Sequence, residues 1–291
     1  MKPTITPEMI RLYDDYTHLS LDRRRFLRDL ARAAGGTAAA MAALPLLENN
    51  YAQAAIVAPD DQRLVAETVT FAGGDGEMKG YLVRPAGIEA RLPAVLVIHE
   101  NRGLNPHIED VARRAALAGF LVLAADFLSP LGGTPADEDK AREMISALDA
   151  DRTVANAVAA IAHLAGHPSS SGKVGAIGFC WGGGLVNQTA IHAPDLAAAV
   201  AFYGRVPEPA DVAWIKARLL LHYAGLDERI NQGVPGFRAA LDAAGIDYAL
   251  HVYEGVNHAF HNDTNAARYD KAAADLAWRR TIDFLAEALK G

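Results

Sequence analysis

Val174-Gly175-Ala176-Ile177-Gly178-Phe179-Cys180-Trp181-Gly182-Gly183-Gly184 is an apolar run that gives way, at the only cysteine of the chain, to a glycine-rich stretch. The first six residues read as a strand buried on both faces, and the residues after Cys180 as the start of a helix. Residues 178–182 spell G-x-C-x-G, the sequence form of a nucleophile elbow with cysteine where serine is usual. The flanking glycines suit a sharp strand-to-helix turn, where a Cβ beside the nucleophile would collide. The competing reading of a lone thiol is an inert core position.

Working outward, apolar runs alternate with longer helix-like stretches. Val65–Phe71 and Met78–Val83 predict an antiparallel pair around Gly73-Gly74-Asp75-Gly76. Pro93–Ile98, Phe120–Ala125, Leu196–Tyr203, Arg218–Ala224 and Tyr248–Tyr253 read as further strands. Ile108–Ala118, Pro135–Leu148, Asp151–Ala165, Val234–Ala244 and Arg268–Leu289 read as helices. Such alternation predicts an α/β fold, with a mostly parallel central sheet and helices on both faces. Ser129–Asp139, with its glycines, proline and acids, reads as a rim or surface loop.

In open α/β sheets ligands sit beyond the carboxyl ends of the strands. Glu100, Cys180, Asp227 and His258 each follow a predicted strand. The order nucleophile, acid, histidine is that of α/β-hydrolases. A thiol needs a base within reach, and a histidine base needs a carboxylate to fix its tautomer and stabilise its cation. Cys180, His258 and Asp227 are therefore the candidate catalytic set. Glu100 beside the thiol would disfavour the thiolate, because like charges repel. An ion pair with Arg102 is the alternative role for Glu100.

Four motifs together resemble the dienelactone hydrolase family of the α/β-hydrolase fold. They are His99-Glu100-Asn101-Arg102-Gly103-Leu104-Asn105-Pro106, Gly178-Phe179-Cys180-Trp181-Gly182-Gly183-Gly184, Phe202-Tyr203-Gly204 and Gly255-Val256-Asn257-His258-Ala259-Phe260-His261-Asn262-Asp263. The resemblance spans roughly residues 65–289. It implies a carboxymethylenebutenolidase-like hydrolase of ester or lactone bonds, working through an acyl-enzyme on Cys180. It implies His258 as base, Asp227 as its orienting acid, and Glu100 as a group that helps take the thiol proton when substrate arrives. The oxyanion hole would be the backbone N–H groups of Trp181 and Asn101. Family members that open dienelactones hold the substrate carboxylate with two arginines. Arg142 matches one, whereas Asn262 stands where the other is expected. Arg102 or Arg205 could replace the missing charge, and Trp181 and Tyr203 could line an apolar pocket. No cofactor is implied. A ligand-binding protein on the same fold, or a hydrolase of thioesters or small peptides, are the alternatives.

Charge and composition bound the rest. The net charge of −7 with no basic stripe argues against a nucleic-acid partner. A single cysteine excludes an intrachain disulfide and a multi-cysteine zinc site. His258, His261 and Asp263 are the alternative metal ligands, but loop spacing gives them no fixed geometry. Gly182-Gly183-Gly184 lacks the Lys-Ser/Thr of a phosphate loop. Arg23-Arg24-Arg25-Phe26-Leu27-Arg28 resembles a twin-arginine export motif, followed by a weakly apolar stretch from Ala33 to Leu47 and a small-x-small site at Ala52-Gln53-Ala54. Residues 1–54 are thus expected to be an export signal leading to the periplasm, and residues 55–291 the hydrolase domain. A cytoplasmic protein whose N-terminal amphipathic helix packs on the domain is the alternative. The apolar stretch is too short to predict stable membrane insertion. The expected partner is a small-molecule ester or lactone; the oligomeric state is left open.

Overall fold

The computed structural model describes residues 4–18, 21–51 and 55–290. Eight strands form one sheet in the order β1-β2-β4-β3-β5-β6-β7-β8. β1 (Leu64–Ala72) and β2 (Glu77–Pro85) make the expected antiparallel pair, and β2 also runs antiparallel to β4 (Leu121–Asp126). β3 (Leu92–Ile98), β5 (Ser170–Phe179), β6 (Ala198–Phe202), β7 (Arg218–Ala224) and β8 (Tyr248–Tyr253) continue the sheet in parallel, with β3 also parallel to β4.

Successive strand residues point to opposite faces, so a run that is apolar at every position must be covered twice. Leu96, Ile98, Leu123, Ala176 and Leu221 pack beneath α6 (Ala150–Gly166), α7 (Trp181–His192) and α9 (Val234–Ala244). Val95, Val97, Val122, Ile177 and Val200 pack beneath α4 (Pro106–Leu117) and α10 (Lys271–Ala288). Strand order reverses between β4-β3 and β3-β5, which opens a crevice at the carboxyl ends of β3 and β5.

Several boundaries differ from those expected, each for a local reason. α5 (Glu138–Ser146) begins later than Pro135, because the Asp137 carboxylate accepts the N–H groups of Asp139 and Lys140 and caps it there. Upstream, Ser129–Leu131 form a short 3₁₀ turn, and Asp126 accepts the N–H groups of Leu128 and Thr134. α10 starts at Lys271 behind an Asp270 cap, so Arg268 lies in a loop. β6 stops at Phe202 because Tyr203 turns into the left-handed region, φ 40°.

The N-terminal segment folds into three helices, α1 (Pro7–Thr17), α2 (Arg23–Ala33) and α3 (Thr37–Leu47), around a small core of Tyr13, Tyr16, Phe26, Leu30, Ala43 and Leu47. On α2 the twin-arginine-like stretch is amphipathic: Phe26 is buried while Arg24, Arg25 and Arg28 are exposed. The group docks on the main domain. The Asn265 amide donates to the Leu47 carbonyl (2.5 Å), and the Asn50 N–H donates to the Thr264 carbonyl (2.8 Å). The small-x-small site Ala52-Gln53-Ala54 lies outside the described residues. Among the described residues no single helix is long and apolar enough to cross a membrane.

Candidate active site

Cys180 sits between β5 and α7 with φ 55° and ψ −114°. A non-glycine residue keeps such a backbone, at a cost of about 1–3 kcal/mol, only when its surroundings over-determine it. Here the turn is clamped from both sides. A Cβ on Gly178 would lie 2.1 Å from the Gly182 carbonyl oxygen, and one on Gly182 would lie 2.5 Å from those of Ile98 and His99. The other non-glycine residues with positive φ among those described are Tyr203 and Ala259, and both flank the same site.

Asp227 follows β7 and His258 follows β8. The His258 Nδ1 lies 2.5 Å from the Asp227 carboxylate, and both side chains are buried. A carboxylate can only accept, so Nδ1 carries the proton and Nε2 is left as the reactive nitrogen. Burial opposes charge on His258, but Asp227 and the thiol outweigh it and push its pKa well above 6.5. Asp227 is held below its ordinary value: burial would raise it, and His258 prevails. For Cys180, burial pushes the thiol up, while His258 and His18 bring it down to about 6.

His18 was not foreseen from the sequence. It lies at the C-terminal end of α1, 162 residues from Cys180 in the chain, yet its Nε2 is 3.4 Å from the Cys180 sulfur. Its ring stands edge-on to His258, centroids 4.8 Å apart. Its Nδ1 is 2.8 Å from the Asp14 carbonyl oxygen and 3.4 Å from the Asp14 carboxylate.

Glu100, beyond β3, is buried and does not engage Arg102. One carboxylate oxygen accepts from the Asn262 amide at 2.7 Å. Arg102 instead pairs with Glu138 (2.8 Å) and donates to the Tyr13 hydroxyl (2.7 Å). Arg142 is buried, donates to the Tyr16 carbonyl (2.7 Å) and to Asp139 (2.9 Å), and lies over the Tyr16 ring. Arg142, the arginine expected to hold a carboxylate, and Arg102, one of the two candidate replacements for the other, thus face α1. Tyr203 is buried with its ring 4.9 Å from that of His258.

Trp181 is the first residue of α7, where helix N–H groups have no intrahelical acceptor. Its indole stacks on His99, centroids 5.3 Å apart. His99 is fixed by two bonds. Its Nε2 accepts the Phe127 N–H (3.2 Å), so its Nδ1 carries the proton and donates to the Glu100 carbonyl (2.7 Å). Asn101 donates its side-chain amide to the Thr17 carbonyl (2.7 Å). A cavity of about 880 Å³ opens over these groups, walled by His18, Asn101, Arg142, Trp181, Tyr203 and His258, with Cys180 in its lining. That volume suits a small organic molecule.

The alternative metal set is split between partners. His258 is bound to Asp227, whereas Asp263 faces His107 (3.0 Å) and Arg114 (2.5 Å). Candidate metal-ligating atoms of His18, Cys180 and His258 lie within 4.8 Å of one another.

Comparison with known proteins finds relatives over most of the chain. A family model described as the dienelactone hydrolase family matches residues 78–289. A protein of Escherichia coli K12 named "Putative hydrolase fragment YghX" is 52% identical over 112 residues, 38% of this chain and 96% of that one. A protein of Escherichia coli O157:H7 named "Putative carboxymethylenebutenolidase" is 34% identical over 244 residues, 79% of this chain and 89% of that one. Among solved structures, a dienelactone hydrolase-like promiscuous phosphotriesterase from metagenomic libraries superposes with a TM-score of 0.72 at 25% identity, covering 78% of this chain and all of that one.

Proposed function

The chain belongs to the dienelactone hydrolase family, hydrolases of ester and lactone bonds on the α/β-hydrolase fold, and from that premise we propose that it works through an acyl-enzyme on Cys180. The observation that carries this reading is the strained elbow at Cys180, with the buried Asp227–His258 pair beside it at the edge of the cavity. The thiolate attacks the substrate carbonyl, forming the S–C bond, and the Trp181 and Asn101 N–H groups are the proposed donors to the resulting oxyanion. Collapse breaks the C–O bond, and the alkoxide takes up the proton that the thiol gave up and leaves as an alcohol. Water, deprotonated by His258, then hydrolyses the thioester and restores the thiol. The preferred substrate is a neutral ester or lactone, because Arg102 and Arg142 are engaged with α1, Glu138 and Asp139.

Cys180→Ala should abolish turnover of 4-nitrophenyl acetate, and a wild-type sample quenched during turnover should gain one acyl mass on Cys180. Full turnover by the alanine variant would end this reading. Export along the twin-arginine route is a separate proposal, supported by Arg23-Arg24-Arg25-Phe26-Leu27-Arg28, and it is made for a chain that keeps the N-terminal helices docked on the main domain. Replacing Arg23 and Arg24 by lysine should leave the protein in the cytoplasm. Equal periplasmic recovery of both forms would refute it.

A further inference from the structure

Two histidines face Cys180, and each has its Nδ1 against an aspartate residue. His258 Nδ1 is fixed on the Asp227 carboxylate, and His18 Nδ1 on the Asp14 carbonyl with the Asp14 carboxylate beside it. Because a carbonyl oxygen can only accept, the His18 proton sits on Nδ1, and its Nε2 lone pair meets the sulfur at 3.4 Å. Asp14 is itself anchored: the Arg268 guanidinium lies 3.4 Å from its carboxylate. The Thr17 carbonyl next to His18 is held by Asn101, and that of Tyr16 by Arg142. The end of α1 is therefore fixed at the nucleophile at several points.

We propose that His18, oriented by Asp14, is a second catalytic base on Cys180, so that the N-terminal segment supplies part of the active site. The inference rests on the acyl-enzyme reading above. It divides the proton work between two histidines. The S–H bond breaks and its proton passes to His18 Nε2, while the electron pair of the sulfur forms the S–C bond. When the tetrahedral intermediate collapses, the departing alkoxide takes that proton from His18 and leaves as the alcohol. His258 then takes a proton from the attacking water. The thioester C–S bond breaks, and the released thiolate recovers the proton from His258. The thiol, both histidines and the net charge return to their starting state.

The ionisable groups around the sulfur and its two histidines are His18 and Asp14 from α1, His258, Asp227, Tyr203, Arg229 and Arg268, with Glu100 beside Tyr203. Glu100 is held by Asn262, and as an anion it would repel the thiolate. His18 removes the thiol proton with no such repulsion.

The test compares the full-length wild type with His18→Gln, His18→Ala and Asp14→Asn, each confirmed folded by circular dichroism. The rate of Cys180 alkylation by iodoacetamide and the turnover of 4-nitrophenyl acetate are followed from pH 5 to pH 9. At pH 6.5 His18→Gln should fall about tenfold in both, because less of the thiol is ionised without His18, and should approach wild type by pH 9, where the thiol ionises unaided. Asp14→Asn should show the same pH-dependent loss in smaller measure, and added imidazole should restore His18→Ala. Wild-type alkylation and turnover in His18→Gln would overturn the proposal. So would an equal loss at every pH without rescue by imidazole, which would mark a packing role. Should His18→Gln not fold, His18→Asn is read by the same criteria. Retained turnover in Cys180→Ala would sink the acyl-enzyme reading instead, and the alkylation comparison would still decide whether His18 bears on the thiol.

Discussion

Cys180 keeps its left-handed backbone because the turn around it leaves no space for anything but glycine. Gly182→Ala puts a methyl group against two carbonyl oxygens at the end of β3, and backbone cannot swing aside as a side chain can. The expected loss is about 1–3 kcal/mol of stability by thermal unfolding, together with most of the esterase activity, since the Trp181 N–H must shift with the turn. An unchanged melting temperature and full turnover would contradict this account. The thiol gives a second expectation. With a pKa of about 6, Cys180 in the wild type should be alkylated at a rate that rises through pH 6 and is level by pH 8. An ordinary thiol would still be gaining above pH 8. At this scale Cys180, Asp227, His258 and Glu100 could be picked out because strand ends are recognisable from apolar runs, and the sheet brings strand ends together. His18 could not. It belongs to a segment whose arginines and alanines read as a leader, and no periodicity links residue 18 to residue 180.

Among the elements, the sheet and its covering helices were legible, because a buried strand is apolar at every position and a covering helix is apolar on one face. Boundaries set by single side chains were not: the Asp137 cap that delays α5 and the turn at Tyr203 that ends β6 depend on tertiary neighbours. The N-terminal helices are held by a polar hub of the same kind. Asp139 on α5 receives the Tyr16 hydroxyl and the Arg23 and Arg142 guanidinia. Burial would raise the pKa of Asp139, but these donors outweigh it and hold it below 3.8. The folded state therefore binds that proton less readily than the unfolded state. The hub's contribution is complete above pH 3.8 and is lost as pH falls below it. Asp139→Asn should remove it at neutral pH. Asp139 is about one-third exposed, so the effect on docking should be near 1 kcal/mol. Hydrogen exchange should quicken in α1 and α2 of that variant, with the strands unchanged. Equal protection of α1 and α2 in both proteins would show that the apolar core around Phe26 and Leu30 holds them alone.

For the whole molecule, α1 bears on substrate choice through charge. Three buried arginines point toward the site's flank, and each already has a partner: Arg102 has Glu138, Arg142 has Asp139, and Arg268 has Asp14. Arg205 and Arg229 line the outer cavity with Glu208 and Asp211, a nearly balanced set on a chain of net charge −7. A substrate carboxylate entering this cavity would give up its hydration, meet an Arg142 already paired with Asp139, and find Glu208 and Asp211 alongside Arg205 and Arg229, so it gains little of the bidentate capture that free arginines offer. A neutral ester loses no ionic hydration on entering. The full-length protein should therefore show a kcat/KM for a neutral aryl ester at least about tenfold above that for the same ester bearing a carboxylate on the acyl group, a difference of about 1.4 kcal/mol. Raising the salt concentration should leave the neutral substrate unaffected, because no long-range attraction assists its approach. A preference for the carboxylated ester that weakens with salt would instead place a free arginine in the binding site, and Arg205→Ala and Arg229→Ala would then identify which one.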